Sequence, residues 1–247
     1  MNWVGIAFVG LGVGFLAGLF GKGGSAIATP LLHGVGVPAI VSVAAPLPAT
    51  IPSTLVASVA YWRAGLVDHE VVIWSIGAGV PATIAGALAT RWIAGGVLVS
   101  ITDLVIAGLG LRFLLFPGDA AEVAARPSSY RARLVAIATF TGLASGLLGN
   151  SGGFLLAPLY VVVLHLPLKT SFACSLVVAG VFAVPGTIVH AALGHIDWSI
   201  VVVFGSFSVP FSYLGARVAL RADAAPLERV YGAALALLGI GFLVAAR

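Results

Sequence analysis

GLFGKGGSAIATP, residues 18–30, and GLLGNSGGFLLAP, residues 146–158, decide how this chain folds. Each breaks a long apolar run with a cluster of glycines, and each ends on a proline, Pro30 and Pro158, 128 positions apart. Glycine adopts backbone conformations that end helices, and its presence here predicts an interruption in the middle of apolar sequence. The first copy carries Lys22 where the second has Asn150, and each copy holds a serine close by, Ser25 and Ser151. A lysine beside flexible backbone needs a physical reason in so apolar a setting.

Outward from these two stretches the setting is a membrane. Of 247 residues 60% are hydrophobic and 8% charged, against about 25% charged in soluble domains. Lys22 is the only charged side chain from Met1 to Trp62, and Lys169 the only one from Leu134 to Ile196. Apolar runs long enough to cross a bilayer as helices recur at 3–20, 40–62, 70–90, 95–116, 134–149, 171–193, 198–216 and 230–246. Short-range alternation is missing, which argues against a lipid-facing barrel. The start MNWVGIAFVG lacks a basic region and a small-residue cleavage site, so it reads as a retained first helix. Basic residues divide evenly between the two sides of an eight-span arrangement, so the positive-inside rule gives no orientation. The polar stretch 117–133 is expected on the cytoplasmic side.

The repeat extends well past the glycines. At an offset of 128, Gly18, Leu19, Gly21, Gly24, Pro30 and Leu31 match Gly146, Leu147, Gly149, Gly152, Pro158 and Leu159. At 129, Pro38 matches Pro167, Ser42 matches Ser171, and GLVD (65–68) matches GHID (194–197). VP at 80–81 and GA at 86–87 recur at 209–210 and 215–216, and GLRFLL at 110–115 recurs as GIGFLV at 239–244. The chain therefore reads as an all-α polytopic membrane protein built from two homologous halves, 1–116 and 132–247, joined by a polar linker, 117–131. Each half has four spans. A short apolar piece, 25–36 or 153–164, follows the first span and suits a broken or re-entrant helix. Broken helices recurring in two halves favour an inverted repeat.

Non-helical backbone at membrane depth is tolerated where it is buried in protein or lines a polar cavity. A half-helix starting after Gly23-Gly24 or Gly152-Gly153 aims free N–H groups and a positive dipole end into such a cavity. Lys22 adds a charge, Asn150 an amide, and Ser25 and Ser151 hydroxyl donors. Gly21, Lys22, Gly23, Gly24, Ser25, Asn150, Ser151, Gly152 and Gly153 are thus expected to bind a small anion. The stripes Gly10, Gly14, Gly18 and Gly142, Gly146 read instead as close helix packing.

GFLAGLFGKGGSAIATPLL, its partner GLASGLLGNSGGFLLAPLY, and the following AGLVD and LGHID resemble the TauE/SafE family of sulfite exporters. The resemblance covers nearly the whole chain. It implies transport of sulfite or small organosulfur anions of the sulfonate, sulfoacetate or thiosulfate type across a bacterial inner membrane. The proline-rich APLPATIPST (45–54) departs from its partner CSLVVAGVFA (174–183), which sets the two second helices apart as walls of the path.

Several further residues are candidates for lining or coupling. Pro46, Pro48 and Pro52 cannot all sit in an undistorted helix, and Thr50 and Ser53 lie beside the carbonyls they would bare. Cys174 and Ser175 occupy the matching place in the second half. Cys174 reads first as a small buried residue, and a single cysteine supports neither a disulfide nor a thiolate metal cluster. Asp68 and Asp197 read as N-caps of the following helices. His190 and His195 are candidate proton carriers near Asp197. Asp103 lies inside an apolar run with Arg112 nine residues on, and is a candidate proton or cation residue. His33 and His165 mark the interfacial ends of the short pieces.

The function expected is a secondary transporter of a small sulfur-containing anion by alternating access, driven by an ion gradient or the membrane potential. A passive anion channel is the alternative. No G-x-x-x-x-G-K-[ST] nucleotide loop is present. The scattered histidines do not form an intramembrane catalytic set, so no enzyme, catalytic residue, metal or cofactor is expected. The partners expected are the anion and the lipid bilayer, with no nucleic acid; monomer and homodimer stay open.

Overall fold

The structure is a computed structural model, and it describes residues 2–21, 25–89, 108, 111 and 128–245. These form ten helices: α1 (Trp3–Phe20), α2 (Ser25–Gly34), α3 (Ala39–Ala44), α4 (Pro46–Arg63), α5 (His69–Ala89), α6 (Tyr130–Leu148), α7 (Gly153–Leu164), α8 (Leu168–Ala192), α9 (Trp198–Arg221) and α10 (Ala224–Ala245). Among the described residues there are no strands. Among the described residues six stretches are long and apolar enough to cross a membrane: Trp3–Phe20, Ile40–Arg63, His69–Ala89, Tyr130–Leu148, Leu168–Ala192 and Trp198–Arg221. The expected span 230–246 falls largely within α10, whereas 95–116, with Asp103 and Arg112, and most of the 117–131 linker lie outside the described residues.

Glycines set how closely the helices approach. On α1, a Cβ on Gly10, Gly14 or Gly18 would run into the backbone of Phe204, Ser208 or Ser212 of α9. On α6, Gly142 and Gly146 press in the same way on Gly79 and Thr83 of α5. The contacts ascend together in both pairs, so α1 runs parallel to α9 and α6 runs parallel to α5. The two seams share one register: Gly14 on Ser208 and Gly18 on Ser212 recur, at the offsets of 128 and 129, as Gly142 on Gly79 and Gly146 on Thr83. Lipid is as apolar as leucine, so helices associate where small residues let backbones touch. That is the work of these stripes.

α4 and α8 cross antiparallel at the centre, with Thr54 against Gly180 and Leu47 against Gly186. The prolines place a break before α4, and Pro46 takes the first helical position, where its missing N–H costs nothing. Ser53 joins α4 to α9: its Oγ lies 2.9 Å from Ser208 Oγ, and its carbonyl accepts from Ser212 Oγ at 2.8 Å. Phe20, Phe172 and Tyr231 form an aromatic cluster with ring centroids 4.9–6.5 Å apart.

The motifs GLVD and GHID are helix junctions. Gly65 (φ 71°) and Gly194 (φ 70°) take the left-handed conformation after α4 and α8. The N–H groups of Leu66 and His195 reach back to the carbonyls of Tyr61 and His190, at 3.1 and 3.0 Å. This double-backed cap closes the last turn of each helix. The aspartates then start the next one: Asp68 Oδ1 accepts from Glu70 and Val71, and Asp197 Oδ1 from Ser199 and Ile200.

Candidate functional site

Both glycine clusters end a helix in the same manner. Gly21 (φ 64°) stops α1 and Gly149 (φ 61°) stops α6, each left-handed and each donating its N–H to a carbonyl four residues back, Ala17 or Ser145. The short helix that follows then doubles back. Val35, just beyond α2, reaches Gly5 near the start of α1, and Arg133 near the start of α6 donates to the carbonyl of Val163 at the end of α7. In each pair the glycine that ends the first helix, Gly21 or Gly149, lies short of the bundle's end. Gly18 is level with Ser212, from which α9 continues nine residues to Arg221, about 14 Å at 1.5 Å per residue. Gly21, three residues on from Gly18, therefore sits well below that end.

The second bend is built around Asn150. Its Oδ1 accepts the Gly152 N–H at 2.9 Å, its N–H donates to the Ser145 carbonyl at 3.1 Å, and its carbonyl accepts the Ser145 hydroxyl. The side chain is 9% exposed, and its Nδ2 has no hydrogen-bond partner among the described residues.

Beside it opens a cavity of 280 Å³. Its walls are Val43 of α3, Thr83 and Ala87 of α5, the last turn of α6 with Gly149 and Asn150, and Phe182, Gly186, Val189 and His190 of α8; Leu193 and His195 close it. A methyl built on Gly149 would lie 3.3 Å from His190 Nε2 and 3.1 Å from Val43 Cγ1, so a larger residue would shrink this space. His190 and His195 touch, Nδ1 to Nδ1 at 3.3 Å. Among the described residues no group of three His, Cys, Asp or Glu side chains is placed to hold a metal ion.

Over residues 6–242 the chain matches the family profile described as sulfite exporter TauE/SafE. The chain belongs to the TauE/SafE family. It is 31% identical over 229 residues to a probable membrane transporter protein of Xylella fastidiosa strain 9a5c, covering 89% of this chain and 87% of the relative. The counterpart in strain Temecula1 is 30% identical over the same shares. A probable membrane transporter protein of Bacillus subtilis strain 168, YunE, is 24% identical over 245 residues, 88% of this chain and 87% of that one. No solved structure matches. Six apolar helices and this family together make the protein a multi-pass membrane transporter.

In this TauE/SafE transporter the residues expected at the site fall into four groups. Asn150 and His190 line the cavity, together with His195. Ser151, Gly152 and Gly153 are buried behind it and form none of its wall. A Cβ on Gly152 would meet Ser145, Phe182 and Thr141. Gly21 is locked on α8, where it packs on Phe172 and its carbonyl accepts the Ser175 hydroxyl at 2.6 Å. Lys22, Gly23, Gly24 and the side chain of Ser25 lie outside the described residues.

The other candidates sit elsewhere. The Thr50 hydroxyl donates to Pro46 and that of Ser53 to Ala49, each one turn back on its own helix at 2.8 Å. These are not the carbonyls that lose a partner to Pro46, Pro48 and Pro52, which sit four residues before each proline. Pro52 borders an apolar groove between α4 and α9. Cys174 is fully buried against the α4–α5 junction, its Sγ 3.3 Å from the Asp68 N–H that donates to it. His33 and His165 are exposed beyond the working parts of α2 and α7.

Sequence reasoning did not find Val43, Thr83, Phe182 or Gly186. They are unremarkable apolar or small residues that only the crossing of α3, α5 and α8 brings to one place.

Proposed function

We propose that this protein is a secondary transporter for a small sulfur-containing anion of the sulfite, sulfonate, sulfoacetate or thiosulfate type. One observation carries the reading: a hollow at the second glycine bend, with the unused amide of Asn150 on its wall. Drug-sized ligands occupy pockets of about 300–1,000 Å³, so 280 Å³ suits a compact solute. An anion leaving water needs hydrogen bonds and compensating charge. Asn150 offers two donors on this side. In this reading Lys22, Gly23, Gly24 and Ser25 of the first motif complete the anion site together with Ser151, Gly152 and Gly153.

The same reading takes the two halves as an inverted repeat that rocks to give alternating access. The sequence offset makes α4 with α3 the counterpart of α8. Those counterparts run antiparallel, as an axis in the membrane plane requires. An ion gradient or the membrane potential drives the cycle, and the membrane is the bacterial inner membrane, as suits relatives from two bacteria.

Uptake of sulfite, simple sulfonates and thiosulfate into proteoliposomes tests this, with Lys22→Ala and Asn150→Ala alongside. Saturable uptake with counterflow, weakened at least tenfold by either substitution, is expected. Unchanged affinity in both variants overturns the site, and non-saturating flux without counterflow overturns alternating access in favour of a channel.

A further inference from the structure

We propose that His190 and His195 form a proton-binding site loaded together with the anion, so that substrate and proton occupy the cavity as a pair. The inference rests on the transporter reading above and adds the coupling ion. It begins from which end of each helix faces the hollow. The cavity wall at the bend is Gly146, Leu147, Leu148 and Gly149, the C-terminal turn of α6. Carbonyls at a helix C-terminus lack intrahelical partners and carry the negative end of the helix dipole. The N-terminus of α7, which would welcome an anion, begins at Gly153 and forms none of that wall. The carbonyl end of α6 favours a cation there, while the Asn150 amide on the same wall offers an anion donors but no charge.

The histidine pair resolves the conflict. Gly194 turns the chain so that the His195 N–H caps His190, and the two rings meet Nδ1 to Nδ1 at 3.3 Å, with centroids 5.4 Å apart. One of the two nitrogens must carry the hydrogen. When His190 is the donor, its Nε2 is a bare lone pair on the side of Gly149. A proton from water adds there. The result is an imidazolium that keeps its bond to His195 Nδ1 and presents an Nε2–H towards the bend, beside the Asn150 amide. The α6 carbonyls stabilise that positive charge, and the charge in turn makes the cavity hospitable to an anion. When the anion departs, the proton returns to water from Nε2.

No other described wall of the cavity competes for the proton. Val43 on α3, Thr83 and Ala87 on α5, Ser145 and Asn150 on the α6 side, and Phe182, Gly186 and Val189 on α8 carry no titratable group. Asp197, two residues beyond His195, is engaged as the cap of α9.

Methanesulfonate is the probe, because it stays ionised throughout and any pH dependence belongs to the protein. Binding to the purified full chain is measured by titration calorimetry between about pH 5.5 and about pH 8, in buffers of different ionisation enthalpy so that proton uptake is read directly. The expected result is uptake approaching one proton per anion and an affinity that falls about tenfold per pH unit above the titration of the pair. His190→Gln and His195→Gln abolish the slope and hold affinity at its high-pH value, while His165→Asn, far from the cavity and tolerant of its left-handed position, keeps the wild-type slope. Binding in wild type that is independent of pH, or an unchanged slope in either glutamine variant, overturns this inference and leaves the anion site standing. Absence of methanesulfonate binding at every pH, with sulfite and thiosulfate equally silent, overturns the site and this inference together.

Discussion

Gly18→Ala tests whether the glycine stripes set the architecture. An added Cβ would lie on the carbonyl oxygen of Ser212, 2.7 Å from its carbonyl carbon and 2.9 Å from the Ala216 nitrogen. All three atoms are α9 backbone and cannot rotate away. Ordinary van der Waals contact begins near 3.4 Å, so clearing the Ser212 carbonyl oxygen parts α1 and α9 by roughly an ångström or more. That separation loosens the Gly10 and Gly14 contacts above it and strains the Tyr61 hydroxyl bond to the Gly18 carbonyl, now 3.1 Å. Overpacking of this kind costs about 1–3 kcal/mol, and in a chain this long each kcal/mol moves the melting temperature by about 2–4 °C. Gly12→Ala is the internal control, because a Cβ there meets nothing within 4 Å. Melting of both variants in the same detergent, followed by tryptophan fluorescence or by loss of the monodisperse peak, should show Gly18→Ala lower by about 2–12 °C. Gly12→Ala should melt at or slightly above wild type, since alanine favours helix over glycine. Equal melting of the two variants would refute the backbone-contact account of the seam.

Two further outcomes follow from the placement of individual residues. Asp197→Ala removes an α9 cap worth about 0.5–2 kcal/mol, so its melting temperature should fall while uptake per folded molecule stays at the wild-type level; loss of uptake in folded protein would make Asp197 part of the coupling machinery. Cys174 is fully buried against the Asp68 backbone, so a membrane-impermeant maleimide should label it only after denaturation, and mass spectrometry of labelled native protein would expose an error in that placement.

Residue types and their order were enough to establish a polytopic helical membrane protein, the two glycine bends, and the junctions at GLVD and GHID. These features are local. Glycine takes φ near +65° most readily, and an aspartate directly before an apolar run caps the helix it begins. Asn150 was legible for the same reason, being a polar side chain at an interruption in apolar sequence. Tertiary structure alone decided which helix each stripe meets, so that α1 lies on α9 and α5 on α6. In a bilayer every apolar face is equally content with lipid, and partner choice falls to backbone fit, which composition does not encode. The same crossings decided which end of the second bend faces the hollow. Glycines at an interruption announce both a helix C-terminus and the next N-terminus, and the packing of Phe182 and Thr141 over Gly152 turned the acceptor end inward. His190 and His195 were each visible as residues; their meeting across one cap, beside that acceptor end, belongs to the fold.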